Sequence, residues 1–183
     1  MIIRGSTVAL RPATESDLKA AYDWLARSDL TAFMMGAPTY PDQPIPTEQE
    51  FCADYLVHFS EDSAPEIGRC FIIMAEGEDV GVVCYNEIIT ARHETELDIW
   101  LRSSAYSGKG YGPNALEALC AELHRVYGIE NFVIRPSARN PRAIKAYQRA
   151  GFEIQNVTAE EQDLRYGPGD YIDTVVLVKR ISA

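Results

Sequence analysis

Residues 96–113 constrain this chain more than any other stretch. Glu96, Leu97, Asp98, Ile99, Trp100 and Leu101 alternate polar and apolar side chains as a half-buried strand does, and a strand is expected over 95–101. A loop at 103–107 leads into Ser107, Gly108, Lys109, Gly110, Tyr111, Gly112 and Pro113. Glycines at alternate positions let backbone N–H groups converge on an anion, because no Cβ stands in the way. Pro113 suits the first turn of a helix, where its missing N–H is not needed. Leu116, Leu119, Cys120, Leu123 and Val126 then repeat at helical spacing as far as Gly128. Strand, glycine turn and helix N-terminus together read as a phosphate cradle with donors from residues 108–112. A dinucleotide fingerprint needs glycine where Pro113 stands, and a P-loop needs Ser or Thr where Gly110 follows Lys109, so both are excluded.

Around this unit the chain reads as one domain over 1–183, with no internal repeat and no linker. A strand at 7–11 closes at Pro12, and residues 14–17 cap a helix carrying Leu18, Ala21, Tyr22 and Leu25. The proline-rich stretch 34–46 reads as a loop. Thr47 and Glu50 form a capping box for a helix with Phe51, Tyr55 and Phe59 on one face. Strands 70–75 and 80–85 flank Gly77 and Glu78 as a hairpin. A strand at 132–134, a helix over 140–150 ended by Gly151, and strands at 152–156 and 171–178 complete the pattern. The class is a mixed α/β (α+β) fold, a largely antiparallel sheet with flanking helices.

The formal net charge of −10 discourages nucleic acid and anionic membranes as partners, since both reward clustered Lys and Arg. That charge is concentrated. Between Asp42 and Asp98 lie 14 acids against only Arg69 and Arg92, whereas residues 99–183 hold 11 bases against 9 acids. Such a segment is either a solvated face or a cleft that attracts cations. Without a signal peptide or an apolar run of membrane length the expectation is a cytoplasmic protein. Cys52, Cys70, Cys84 and Cys120 then read as reduced core thiols. The scattered Cys and His residues offer no metal-ligand spacing, so no metal is expected.

Residues 140–152 add a second motif, in which Asn140, Ala143, Tyr147, Gly151 and Phe152 fall at fixed offsets. This resembles the last signature of the GCN5-related N-acetyltransferase (GNAT) superfamily. The segment 107–112 is similar to that family's acetyl-CoA pyrophosphate loop, with Gly110 and Gly112 matching and Ser107 where Arg or Gln is usual. Leu10, Arg11, Pro12, Met34 and Met35 also look like members near the ribosomal-protein and aminoglycoside 6′-N-acetyltransferase branches.

The resemblance implies a central parallel strand pair, at 96–101 and 132–135, opening into a V that admits the pantetheine arm. It implies acetyl-CoA as acyl donor, held by Ile99, Trp100, Leu101, Ser107, Gly108, Lys109, Gly110, Tyr111, Gly112, Asn140, Ala143 and Tyr147. The thioester carbonyl would meet backbone groups at 99–101. In the resemblance Tyr147 matches the family's general acid, and a phenol, with an ordinary pKa of about 10, carries its proton at neutral pH and can give it to a departing thiolate.

Glu96 and Asp98 share one strand face with Trp100. Paired carboxylates attract an ammonium group, and their repulsion raises one of them towards the range of a base. The resemblance makes Asp98 the first candidate base and Glu96 the second, and Glu87, Glu96 and Asp98 the candidate acceptor contacts. Arg135, Arg139, Arg142, Lys145 and Arg149 offer counter-charge to phosphates or form a solvated helix face. The expected activity is direct acetyl transfer to a primary amine of a small cationic, aminoglycoside-like acceptor, by a monomer or homodimer. Two alternatives stay open: N-terminal acetylation of a protein of the ribosomal type, and a non-catalytic acyl-CoA-binding module. Arg135, Pro136 and Ser137 bear on the choice, because some aminoglycoside acetyltransferases carry Asp-Pro-Ser there.

Overall fold

The computed structural model describes residues 2–35, 45–60 and 66–181. Its strands are β1 (Ile3–Arg4), β2 (Ala9–Pro12), β3 (Arg69–Ala75), β4 (Glu78–Tyr85), β5 (Glu94–Leu101), β6 (Asn131–Ile134), β7 (Glu153–Ile154) and β8 (Leu177–Arg180). The helices are α1 (Leu18–Ala26), α2 (Thr31–Met35), α3 (Glu48–Phe59), α4 (Tyr111–Tyr127), α5 (Pro141–Arg149) and α6 (Ala159–Tyr166). The strands form one sheet in the order β1-β2-β3-β4-β5-β6-β8-β7. Every described pairing is antiparallel except that of β5 with β6, so the expected mixed α/β class with a central parallel pair is found.

The sheet's two faces carry different helices. On one, Leu116, Leu119, Cys120 and Leu123 of α4 pack against Leu10, Ile73, Val83, Leu97, Phe132 and Leu177. On the other, α1 and α3 bring Leu18, Tyr22, Phe51 and Phe59 onto Ile72, Val82 and Trp100. Burying each such side chain contributes roughly 1.5–3 kcal/mol. Trp100 is fixed in two ways: its Nε1–H donates to the carbonyl of Ala21 at 3.1 Å, and its ring meets Phe51 and Tyr55 edge-on. Strand β5 is thereby tied to α1 and α3.

Local chemistry sets several element ends. The Thr47 N–H donates to Glu50 Oε2 at 2.7 Å while Glu50 N–H donates back to Thr47 Oγ1 at 3.3 Å, the capping box expected for α3. The β3–β4 turn places Glu76 at φ 54° and Gly77 at φ 83°, the left-handed pair that a two-residue hairpin needs.

The fold also departs from expectation. Met34 and Met35 end a short helix instead of opening a loop, while the rest of that stretch, 36–44, lies outside the described residues. Helix α4 begins at Tyr111, two residues before Pro113, because Gly110 at φ 84° supplies the turn into it. Val126 is 43% exposed and leaves the apolar stripe. The last strand starts only at Leu177; before it, 171–176 meets residues 136–138 through an isolated antiparallel bridge of Ser137 with Thr174 and through side-chain contacts, short of a continuous ladder. Helix α6 was not expected, although Thr158 and Glu161 form a capping box at its start.

Cys70 and Cys84 are joined in a disulfide, which overturns the reading of both as reduced thiols, while Cys52 and Cys120 are free. Register is the cause. A two-residue turn alone would set Cys70 opposite Val83, but the irregularity between Ile73 and Met74 shifts the ladder by one and brings Cys70 opposite Cys84.

Candidate active site

The parallel pairing of β5 with β6 covers Glu94 with Asn131, Thr95 with Phe132 and Glu96 with Val133, and stops there. Strand β5 runs on to Leu101 while paired only with β4, so its other edge faces a cleft. Two cavities of about 350 and 440 Å³ occupy that cleft. They share Met34, Ile99, Trp100, Asn140 and Tyr147 as walls and so meet at the point where the strands part.

The first cavity is built to take a long anionic ligand. Ser107, Gly108, Gly110 and Gly112 line it, with Gly108 at φ 77° and Gly110 at φ 84°. A Cβ on either of those two would meet nothing within 4 Å, so the turn is open on its outer side. The N–H groups of the first turn of α4 have no partner within the helix and its dipole points the same way. Ser107 cannot reach as far as an arginine would, but Arg142, Lys145 and Arg149 of α5 line the same cavity and supply cationic charge. Ala143 is beside them. Lys109 stands off the lining, its ammonium 5.7 Å from the Tyr106 ring and 5.8 Å from that of Tyr111. Leu30 and Phe33 form an apolar wall that sequence reasoning passed over. A glycine cradle, a basic rim and an apolar channel between the strands fit the pyrophosphate and pantetheine of acetyl-CoA.

Asn140 caps α5, its Oδ1 accepting from the Ala143 N–H at 3.1 Å, which leaves its amide NH₂ to donate into the cleft. Tyr147, two turns further, is packed against the core at Phe152. Burial pushes its phenol well above the ordinary value, and the charge of Asp98 adds to this.

The second cavity is lined by Asp54, Asp98 and Asp170, with His58 and Arg135 as the basic groups. Asn86 donates to Asp98 Oδ2 at 2.9 Å. Burial raises the Asp98 carboxyl above its ordinary range; the Asn86 hydrogen bond opposes this, and Asp170 reinforces it. The Nδ1 atom of His58 is buried, and among the described residues it has no hydrogen-bond partner. Tyr171 closes the far wall by donating from its hydroxyl to the carbonyl of Met34 at 2.5 Å.

Two expected acceptor contacts stand elsewhere. Glu87 is exposed and lines neither cavity. Glu96 also lines neither, because its carboxylate is taken by Arg135, whose Nε and Nη2 donate at 2.6 and 2.9 Å. Burial pushes the Glu96 carboxyl up and the guanidinium fork opposes it. Asp54, His58, Asp170 and Tyr171 were not singled out from the sequence. Among the described residues no group of three or more His, Cys, Asp or Glu could hold a metal ion, and no helix is long and apolar enough to cross a membrane.

A sheet that opens at its parallel pair above a glycine cradle defines a CoA-dependent acyltransferase. More particularly, a family model described as "Acetyltransferase (GNAT) domain" matches residues 7–153, and the chain belongs to that family. The aminoglycoside N(6′)-acetyltransferase type 1 of Klebsiella pneumoniae is 29% identical over 181 residues, 91% of this chain and 82% of that protein. The ribosomal-protein-serine acetyltransferase of Escherichia coli K12 is 29% identical over 113 residues, 62% of this chain and 60% of that protein. Among solved structures, the aminoglycoside acetyltransferase AAC(6′)-Ib with ribostamycin and coenzyme A superposes with a TM-score of 0.75 at 26% identity, covering 96% of this chain and 94% of that one. The protein is an acetyl-CoA-dependent N-acetyltransferase, with relatives in both the aminoglycoside and the ribosomal-protein branches.

Proposed function

We propose that the protein acetylates a primary amine of a small polycationic acceptor of aminoglycoside type, by direct transfer from acetyl-CoA. The observation that carries this reading is the second cavity, where Asp54, Asp98 and Asp170 surround a space of about 440 Å³ that opens onto Tyr147 and the edge of β5. Carboxylates in a partly dry cavity hold ammonium groups more firmly than in water. The similarity to aminoglycoside acetyltransferases along nearly the whole chain points the same way.

In this reading acetyl-CoA lies in the first cavity with its thioester beside Ile99, Trp100 and Leu101, whose backbone groups polarise the carbonyl. Asp98 removes a proton from the acceptor's ammonium and passes it to solvent. The neutral amine attacks the carbonyl carbon, a C–N bond forms, and the nitrogen loses its second proton to Asp98, which passes it to solvent in turn. As the C–S bond breaks, the Tyr147 hydroxyl protonates the sulfur and recovers its own proton from solvent. Products are the acetamide, free CoA and one proton. Burial makes Asp98 a stronger base, and it leaves Tyr147 in the protonated form that a proton donor needs at neutral pH.

Purified protein with acetyl-CoA is to be assayed for thiol release over aminoglycosides, polyamines, simple monoamines and a peptide with N-terminal serine. Acetylation of the polycations supports the reading. Turnover confined to the peptide would replace it with protein N-terminal acetylation.

A further inference from the structure

Arg135 occupies a position next to the reacting centre yet carries the same charge as the proposed acceptor. Its surroundings account for this. The side chain is only 12% exposed, and its Nε and Nη2 are held by both oxygens of Glu96. The remaining nitrogen, Nη1, donates to the carbonyls of Gly167 and Pro168 at 3.1 and 3.4 Å. One guanidinium therefore bridges the last parallel-paired residue of β5 and the segment that leaves α6.

That segment leads into the wall of the acceptor cavity. It continues through Asp170 and Tyr171, both in the cavity wall, and is fastened again by Asp173, which accepts from Ser137 and from Arg139. Tyr171 ties it to α2 through the Met34 carbonyl. Between the anchors at Gly167 and Asp173, Asp170 contributes a carboxylate that is exposed to the cavity and acts on both Asp98 and Arg135.

We propose that Arg135 is a positioning residue: paired with Glu96, it straps residues 167–171 into the wall of the acceptor cavity so that Asp170 faces Asp98, and this selects acceptors bearing two or more ammonium groups. The selectivity rests on the proposed acceptor class; the strap does not. With Asp98 engaged by the reacting amine, Asp170 is left to hold a second cation. A monoamine leaves that carboxylate unused.

The test has two arms. In the first, Arg135→Met and Asp170→Asn are assayed with a polyamine or aminoglycoside and with a monoamine. Each variant is expected to raise KM for the polycation at least tenfold, with the KM for acetyl-CoA within about threefold of wild type and the KM for the monoamine little changed. The double variant is expected to be no worse than either single one, because the two residues act as a unit. Equal losses on both acceptors, or full additivity, would overturn the assignment. In the second arm hydrogen exchange is followed without acceptor. Arg135→Met should speed exchange at the amides of 169–175 at least tenfold and leave β5 protected, whereas unchanged protection overturns the strap. If no amine is acetylated but the exchange result holds, the acceptor class is wrong and the strap stands.

Discussion

Cys84 and Asp98 stand directly opposite each other on β4 and β5, and Cys84 is bridged to Cys70, its opposite on β3. Disulfide and carboxylate therefore form one row across three strands on the same face of the sheet. Both sulfurs are buried, Cys70 at 0% and Cys84 at 1% exposure, so the candidate base has an apolar flank on one side and Asn86 on the other. This dry flank is part of the burial that raises its pKa.

Asp98→Asn is expected to lower kcat by about 10²–10⁴-fold, the usual worth of a positioned base, with acetyl-CoA binding intact. In the wild type the acid limb of kcat/KM should fall above the ordinary carboxylate range. Stability should change in the opposite sense. A carboxyl whose folded pKa is raised favours the fold below its unfolded value, 3.8, and that contribution is lost as pH rises through the raised one. The Asn variant does not titrate, so it should melt higher than wild type at pH 7, with the gap closing towards pH 3.8. Thermal melts at both pH values check the sign.

Tyr147→Phe is expected to reduce kcat by about 10²–10⁴-fold while leaving the affinity for CoA within a few-fold. Since burial keeps the phenol protonated well beyond pH 10, the wild-type profile should show no basic limb from this group. Equal loss of turnover and CoA affinity would reduce Tyr147 to a packing role.

Gly110→Ala places a side chain at φ 84°, which costs about 1–2 kcal/mol for an L-residue. The disturbed cradle should raise the KM for acetyl-CoA about tenfold, since 1.4 kcal/mol is a factor of ten. Gly77→Ala, at φ 83° in the remote hairpin, is the control: similar loss of stability, unchanged KM.

Alkylation of the denatured, unreduced protein should label Cys52 and Cys120 only, and four labels should appear after reduction. Replacing Cys70 and Cys84 together by Ala should destabilise the protein by about 3 kcal/mol, the loop-closure figure for a span near 15 residues. Urea unfolding measures it. Two labels from Cys70 and Cys84 before reduction would mean that the pair is not bridged.

Much of this was legible in the sequence because it depended on local periodicity and on turn chemistry. The strand over 95–101, the glycine turn, the α3 capping box and Asn140 at the start of α5 are all of that kind. What failed depended on register or on a third element. Nothing local places Cys70 opposite Cys84 once the ladder slips by one residue, and nothing joins Glu96 to Arg135 except the parallel pairing of their strands. Asp54 and His58 flank the apolar face of α3 that periodicity picks out, and only the packed structure aims them at a cavity. Helix α6 was missed because it has no buried residue and its Leu164 is 89% exposed, so it has no apolar stripe to read. Glu87 is an acceptor contact only by the resemblance; in the fold it follows the end of β4 and is exposed.

The β5–β6 pairing ends at Glu96 opposite Val133, two residues before Asp98. Side chains alternate between the two sides of a strand, so the site depends on an even count. Removing one residue between Glu94 and Leu97 would move Ile99 to the place of Asp98, leaving the sheet's composition almost unchanged and its chemistry gone. A change of one residue in the length of β5 should therefore dismantle the proposed site even with every other side chain kept: the arrangement is written in the parity of the chain as much as in its letters.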